Sequence, residues 1–98
     1  MDCVDLQGAD LRDADLTGAE LKYSNLSSAC LKGAKLVGAE LDGATLIGAD
    51  LSSADLRGAT LEGADLTDAC RDTKTKLPDG ILLESCEKKV GPCTPPLS

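Results

Sequence analysis

The hydrophobic residues of this chain recur with a period of five. From Leu6 to Leu66 a leucine occupies every fifth position, and a small residue, usually alanine, stands two positions before it. An α-helix turns ~100° per residue and would scatter these leucines around its surface. A straight strand would place successive leucines on opposite faces. The leucines can share one core only if the chain turns a corner in every repeat. The predicted core residues are Leu6, Leu11, Leu16, Leu21, Leu26, Leu31, Leu36, Leu41, Leu46, Leu51, Leu56, Leu61 and Leu66.

The residues at the predicted corners agree with this interpretation. The second position after leucine is glycine in eight of thirteen units, and aspartate, serine or tyrosine in the others. Glycine tolerates positive φ, and serine and aspartate form local hydrogen bonds in turns. Short extended segments joined by such corners stack ~4.8 Å apart through backbone hydrogen bonds. The pattern therefore predicts an all-β solenoid.

Units such as "ADLRD", "AELDG" and "ADLRG" resemble the pentapeptide-repeat family, whose consensus is A-[D/N]-L-x-x. The resemblance runs from Val4 to about Asp72 and gives a predicted repeat domain of residues 1–72. It implies a right-handed quadrilateral parallel β-helix with twenty residues per coil, and hence about three to four coils. Residues twenty apart would then stack, which would place Tyr23 over Gly43 and Gly63.

Residues 73–98 have a different composition and form the second predicted region. Asp79, between Pro78 and Gly80, is a candidate N-cap. The residues that follow suggest a short helix with one apolar face, which we expect to cap the C-terminal end of the coil. The predicted face consists of Ile81, Leu82, Cys86 and Val90. The rest of the region is expected to be a loose tail.

The N-terminal end has no comparable cap in the sequence. An uncovered coil edge is an aggregation hazard or an interface, so this end is predicted to stack on a second copy or on another repeat chain. The alternative is that Met1 and Val4 close it. Candidate interaction residues are Val4, Glu20, Tyr23 and Glu40. For Tyr23, packing across the glycines is favoured over a binding role.

The cysteines suggest a location. Five is an odd number for a disulfide framework, and the chain does not open with a signal peptide, so a cytoplasmic protein is expected. Cys30 and Cys70 would share a column ~9.6 Å apart, too far to pair with each other. Cys86 and Cys93 could form a disulfide, but a structural thiol at Cys86 is favoured.

Composition restricts the chemistry. The chain has no histidine, no phosphate-binding loop and no metal-ligand spacing, so we predict no enzyme activity, no catalytic residues, no metal and no cofactor. The net charge of −7 argues against direct binding to nucleic acid or anionic membrane. No stretch approaches the ~18 apolar residues of a membrane span.

The sequence therefore predicts a non-catalytic structural or protein-interaction module with an unidentified protein partner. The family resemblance also implies an alternative, because some members mimic duplex DNA and bind gyrase-type topoisomerases. Duplex DNA carries one charge per ~1.7 Å, a density that this acidic rod approaches. The predicted length of about 16 Å, however, covers only about five base pairs. The interaction module is the favoured function.

Overall fold

The computed structural model describes residues 2–86 and Cys93. Its repeating feature is a ladder of parallel backbone bridges between residues twenty positions apart, so four five-residue units complete one coil. The bridges join Asp5 to Asn25, Asp10 to Cys30, Asp15 to Lys35, Glu20 to Glu40, Asn25 to Thr45, Cys30 to Asp50, Lys35 to Asp55, Glu40 to Thr60, Thr45 to Asp65 and Asp50 to Cys70. This register gives the coil four sides.

The corners are made by residues in the left-handed region. The second residue after each leucine from Leu6 to Leu66 has φ between 57° and 73°, whether it is one of the eight glycines or a larger residue. From Gly8 to Gly48, each corner amide donates to the carbonyl nineteen residues later, as Gly33 N does to Ser52 O over 2.8 Å. The corners therefore take part in the hydrogen bonding between coils, as the sides do.

Many of the acidic side chains are fixed within these corners. The residue before each leucine points outward, and where it is aspartate or asparagine its Oδ1 accepts a hydrogen bond from the amide two residues later. This happens at Asp5, Asp10, Asp15, Asn25, Asp50, Asp55 and Asp65. Such local bonds are typical of aspartate and asparagine in turns. Much of the acidity of this chain therefore belongs to the chemistry of the turns.

The leucines line the inside of the coil. Seven of them, at every fifth position from Leu26 to Leu56, are completely buried, and Leu21 is 5% exposed. Those in the first and last units are partly buried against the same core, namely Leu6, Leu11, Leu16, Leu61 and Leu66. Burial thus decreases towards both ends of the stack, where one neighbouring coil is missing.

Extended chain covers the C-terminal end of the coil as far as it is described, and the predicted helix does not start near Asp79, because residues 79–85 contain no helix and include a strand. Strand β1 (Cys70–Arg71) pairs in parallel with β2 (Glu84–Ser85), with Cys70 opposite Glu84. An extended segment alternates its side chains, so Leu83 packs against the core while Leu82 is 93% exposed. Pairing with the free edge of β1 competed successfully with the weak helical pattern.

The last side of the coil differs from the others in its register. Asp55 bridges Lys76, twenty-one residues away, so the last side accommodates one extra residue after the repeats end.

Val90, the last residue of the predicted helical face, lies outside the described residues. In the described part of the chain, no helix has the length and apolarity needed to cross a membrane.

Candidate functional site

One corner of the coil carries an exposed aromatic ring. Tyr23 has φ 60° and is 69% exposed, whereas Gly43 and Gly63 occupy the same corner in the next two coils. The left-handed conformation costs a residue with a Cβ roughly 1–2 kcal/mol, and bulky residues rarely adopt it. We call the surface formed by Tyr23, Asp42, Gly43, Glu62 and Gly63 the Tyr23 corner.

The ring of Tyr23 lies over Gly43. A Cβ added at Gly43 would lie 2.5 Å from ring atoms Cδ1 and Cε1, so only glycine leaves room for this placement. A Cβ at Gly63 would meet nothing closer than 4.0 Å, so the ring does not extend over that glycine. The five residues of the Tyr23 corner line a shallow groove of about 470 Å³.

Charged side chains flank this groove. Asp42 accepts a hydrogen bond from the Glu62 amide over 3.2 Å, which links these two acidic residues of adjacent coils. Lys22 Nζ lies 3.3 Å from Glu40 Oε1. The hydrogen bond and the charge of Glu40, together with the charges of Asp42 and Asp2, raise the pKa of Lys22. The corner therefore combines an aromatic face, a bare glycine and an excess of carboxylates.

Of the four predicted interaction residues, Tyr23 belongs to this corner and the other three have separate contacts. Glu40 pairs with Lys22, the chain neighbour of Tyr23, and Glu20 stacks on Glu40 through a backbone bridge. Val4 is half-buried, and both of its backbone polar groups pair with the second coil. Its N–H donates to Ser24 Oγ over 3.0 Å, and its carbonyl accepts from the Asn25 amide over 2.9 Å.

A second distinctive surface is the side of the coil that carries Asp10, Cys30, Asp50 and Cys70 in one column, here called the cysteine face. Two disulfides attach the C-terminal segment to it: Cys70 to Cys86, with Cα atoms 4.8 Å apart, and Cys30 to Cys93, with Cα atoms 5.0 Å apart. The expectations of a structural thiol at Cys86, or of pairing with Cys93, were both wrong. Among the five cysteines, Cys3 is free and exposed.

Asp50 lies between the two disulfides. It is 7% exposed, and its Oδ1 accepts hydrogen bonds from the amide and the hydroxyl of Ser52 over 2.9 and 2.5 Å. The sulfur of Cys86 lies 3.3 Å from the same oxygen and 3.2 Å from Ser52 Oγ. A carboxylate, a hydroxyl and a disulfide thus form one largely buried cluster on the cysteine face.

Sequence reasoning missed both the partners of Tyr23 and the disulfide pairing. Asp42 and Glu62 were not singled out, although the twenty-residue spacing places them beside the glycines under Tyr23. For the cysteines, only pairs within the coil and within the tail were considered. Cys30 and Cys70 are two coils apart on one face, and a tail of seven further residues after Cys86 can cover that distance. The sequence therefore also allowed each coil cysteine to pair with a tail cysteine, as they do in the structure.

The repeat region matches the family model described as pentapeptide repeats, in eight copies over residues 1–36 and 34–70. Among solved structures, HetL, a pentapeptide-repeat protein involved in heterocyst differentiation regulation from the cyanobacterium Nostoc, is 41% identical, with a TM-score of 0.53 over 83% of this chain. Rfr23 of Cyanothece is 33% identical over 79% of this chain, with a TM-score of 0.40. A protein of the Arabidopsis thaliana thylakoid lumen is 32% identical over 79%, with a TM-score of 0.45.

This chain spans 41% of the length of the HetL structure, 63% of Rfr23 and 57% of the Arabidopsis protein. Among curated proteins none matches the sequence significantly. The similarity therefore supports a right-handed β-helix of structural or protein-interaction character, and it leaves the partner of this chain unidentified.

Proposed function

Since the chain belongs to the pentapeptide-repeat family, we propose that it is a non-catalytic module that binds a basic segment of a partner protein through the Tyr23 corner. The observation that carries this proposal is the exposure of Tyr23 in a backbone conformation that favours glycine. Eight other corners are made by glycine at no such cost. A costly residue whose ring is mostly in solvent suggests a selected role outside the fold itself.

The chemistry of the groove favours a cationic side chain. An arginine or lysine placed over a tyrosine ring gains roughly 0.5–1 kcal/mol at an exposed site. Asp42 and Glu62 lie at the same groove, and Glu40 is next to it, so a guanidinium seated on the ring would also meet carboxylates. The bare surface over Gly63 gives room for the stem of such a side chain. The net charge of −7 supports fast encounter with a basic partner.

The open N-terminal end is proposed as a secondary contact. In residues 2–86, the amides of Asp5, Asp10 and Asp15 donate to no backbone carbonyl, whereas the corresponding amides of later coils do. A second copy or another repeat chain could pair with this edge.

The disulfides change the proposed location. The cytoplasmic expectation rested on the odd cysteine count and on a start that does not resemble a signal peptide, but four of the five cysteines are paired in this structure. Structural disulfides persist in oxidising environments and are rare in the cytosol. We therefore propose that the folded protein functions in an oxidising compartment.

Mimicry of DNA towards gyrase-type topoisomerases stays a prediction without a supporting observation of its own. Part of the acidity that motivated it has a local explanation, because six aspartates at the outward position accept a hydrogen bond from the amide of the residue after the next leucine. A supercoiling assay with gyrase would test it directly.

Binding of a fluorescein-labelled arginine-rich peptide, measured by fluorescence anisotropy, tests the main proposal. Tyr23→Gly removes the ring, keeps the net charge and suits the backbone, so it should weaken binding about two- to fivefold without unfolding the protein. Asp15→Asn changes the charge on a side of the coil that does not meet the Tyr23 corner, in the column of Lys35 and Asp55, and serves as the control for non-specific attraction. Equal affinity of the wild type and Tyr23→Gly would overturn the proposal.

A further inference from the structure

Three potential metal ligands converge on the cysteine face. A carboxylate oxygen of Asp50 and the sulfurs of Cys70 and Cys86 all lie within 4.8 Å of one another. Asp50 is 7% exposed and Cys70 is 2% exposed, so two of the three groups are buried. In the oxidised protein the two sulfurs are bonded to each other and cannot act as thiolate ligands.

The arrangement suits a small tetrahedral cation once the sulfurs are free. Zinc binds thiolates at about 2.3 Å and carboxylate oxygens at about 2.0–2.2 Å, which separates two ligands of one ion by roughly 3.5–4 Å. Cys86 Sγ is 3.3 Å from Asp50 Oδ1 and the three ligand atoms lie within 4.8 Å of one another, while the two sulfurs must move apart to this separation once their bond is broken. Ser52 already holds the Asp50 carboxylate through its amide and its hydroxyl. Such outer-shell bonds commonly orient metal ligands.

We propose that reduction of the Cys70–Cys86 disulfide creates a site for one zinc-type divalent cation, with Cys70, Cys86 and Asp50 as its protein ligands. A dithiol supplies the two electrons and two protons that convert the disulfide into two thiols, and it becomes a disulfide itself. Binding of the cation then releases the thiol protons, since the thiolate is the ligand form. The disulfide and the metal are therefore mutually exclusive ways of fastening the same segment.

Two features of the fold make this exchange feasible. β2 pairs with β1, and Arg71 Nε donates to the Leu83 carbonyl over 3.1 Å, so Cys86 stays near Cys70 without the covalent bond. A groove of about 350 Å³, lined by Asp72, Thr73, Ser85 and Cys86, gives access to the Cys86 side of the disulfide. A reductant and an ion can both approach there.

The other disulfide provides a matched control. Cys30 also neighbours Asp50, one coil away, but in the described residues only Cys70 and Cys86 form a three-ligand group with it. The double variant Cys30→Ser/Cys93→Ser should therefore retain the metal site. The exposed thiol of Cys3 is removed as Cys3→Ser in every sample, so that it cannot bind the ion adventitiously.

The test is a Co²⁺ titration of protein reduced with a phosphine and freed of excess reductant. We expect one equivalent of Co²⁺ to produce thiolate-to-cobalt charge-transfer absorption and the visible bands of a tetrahedral site, both removed by Zn²⁺. The oxidised protein should show neither. Absence of these bands in the reduced protein, or equal binding by the oxidised protein, would overturn the proposal.

Two variants identify the ligands. Cys86→Ser lies outside the coil and should abolish tight binding, while Asp50→Asn should weaken it by more than the roughly 10- to 100-fold that loss of an outer-shell group costs. Circular dichroism of each reduced variant establishes that the coil persists. Retention of wild-type affinity in either folded variant would show that the bound ion is held elsewhere.

Discussion

Asp72 receives two hydrogen bonds from Ser53, whose amide donates to Oδ1 over 2.8 Å and whose hydroxyl donates to Oδ2 over 2.7 Å. At the earlier corners the amide donates to the main-chain carbonyl nineteen residues later. Asp72 is the nineteenth residue after Ser53, and here its side chain replaces that carbonyl. The repeat therefore ends with a carboxylate that completes the hydrogen bonding of the last regular corner on that side.

The first prediction concerns the pH dependence of this bond. Partial burial raises the pKa of Asp72, but hydrogen bonds from Ser53, Lys74 and Thr75 outweigh it and lower the pKa from its usual value of 3.8 to about 2. Because the folded-state pKa is the lower one, this stabilisation is complete above pH ~4 and is lost as the pH falls through ~2. Asp72→Asn should therefore lower the Tm at pH 7, with a difference that narrows between pH 4 and 2.

Thermal melts over that pH range check this prediction. Asp65→Asn is the control for an exposed turn carboxylate, because in the described residues the Asp65 side chain is hydrogen-bonded within its own turn, to Thr67, which also lowers its pKa. A Tm difference for Asp72→Asn that stayed constant down to pH 2 would contradict the role assigned to its ionised form.

The second prediction distinguishes the loss of stability caused by a clash with the Tyr23 ring from the loss caused by a Cβ at positive φ alone. Gly43→Ala and Gly63→Ala both introduce a Cβ at positive φ, with φ 67° and 73°, but only the first collides with the ring. Both should destabilise the fold, and Gly43→Ala should do so more, because the ring must move. Urea unfolding measures the difference, and equal losses would mean that the ring has no fixed position.

The third prediction concerns the core. Leu36 is completely buried in the middle of the stack, so Leu36→Ala should lower the free energy of unfolding by about 2–5 kcal/mol. Leu6→Ala, at a partly buried site in the first coil, should cost less. Chemical denaturation of both variants tests the ranking. A larger loss of unfolding free energy in Leu6→Ala than in Leu36→Ala would contradict it.

The fourth prediction concerns the disulfides. Peptide mapping without reduction should recover Cys30 linked to Cys93, Cys70 linked to Cys86, and Cys3 as a free thiol. Cys30–Cys93 closes the longer loop, with a sequence separation of 63 against 16, so its removal should cost more. In the loop-entropy estimate the two losses are about 4 and about 3 kcal/mol. Equal stabilities of the two double-serine variants would count against this account.

The fifth prediction addresses the N-terminal end. Val4→Pro removes the amide that donates to Ser24 Oγ and should loosen the first unit. If the open edge mediates self-association, light scattering should show an assembly for the wild type that decreases in this variant. A wild-type monomer at all concentrations would refute the self-association proposal.

The sequence was most informative where the same interaction repeats many times. The resemblance to the pentapeptide-repeat family is confirmed by the family match over residues 1–70. The five-residue period constrains every unit in the same way, so no single exception could disguise it. The stacking of Tyr23 above Gly43 follows from the same register.

The sequence was least informative after Arg71, where the period stops. Ile81 and Leu82 suggested a helical face because short apolar stretches fit more than one periodicity. The unpaired edge of Cys70–Arg71 favoured a strand there, and that edge exists only once the coil has folded. The disulfide partners were equally hidden, because they depend on how the tail returns to the cysteine face.

The disulfide between Cys30 and Cys93 also determines how the molecule would bear mechanical load. A force applied to the chain beyond Cys93 would enter the second coil at Cys30 and would not reach the paired edge at Glu84–Ser85 first. While both bonds are intact, the last coil is shielded from being peeled away strand by strand. Reduction would return the load to that short strand pair, so tensile strength, unlike the shape of the coil, would depend on the redox state of its surroundings.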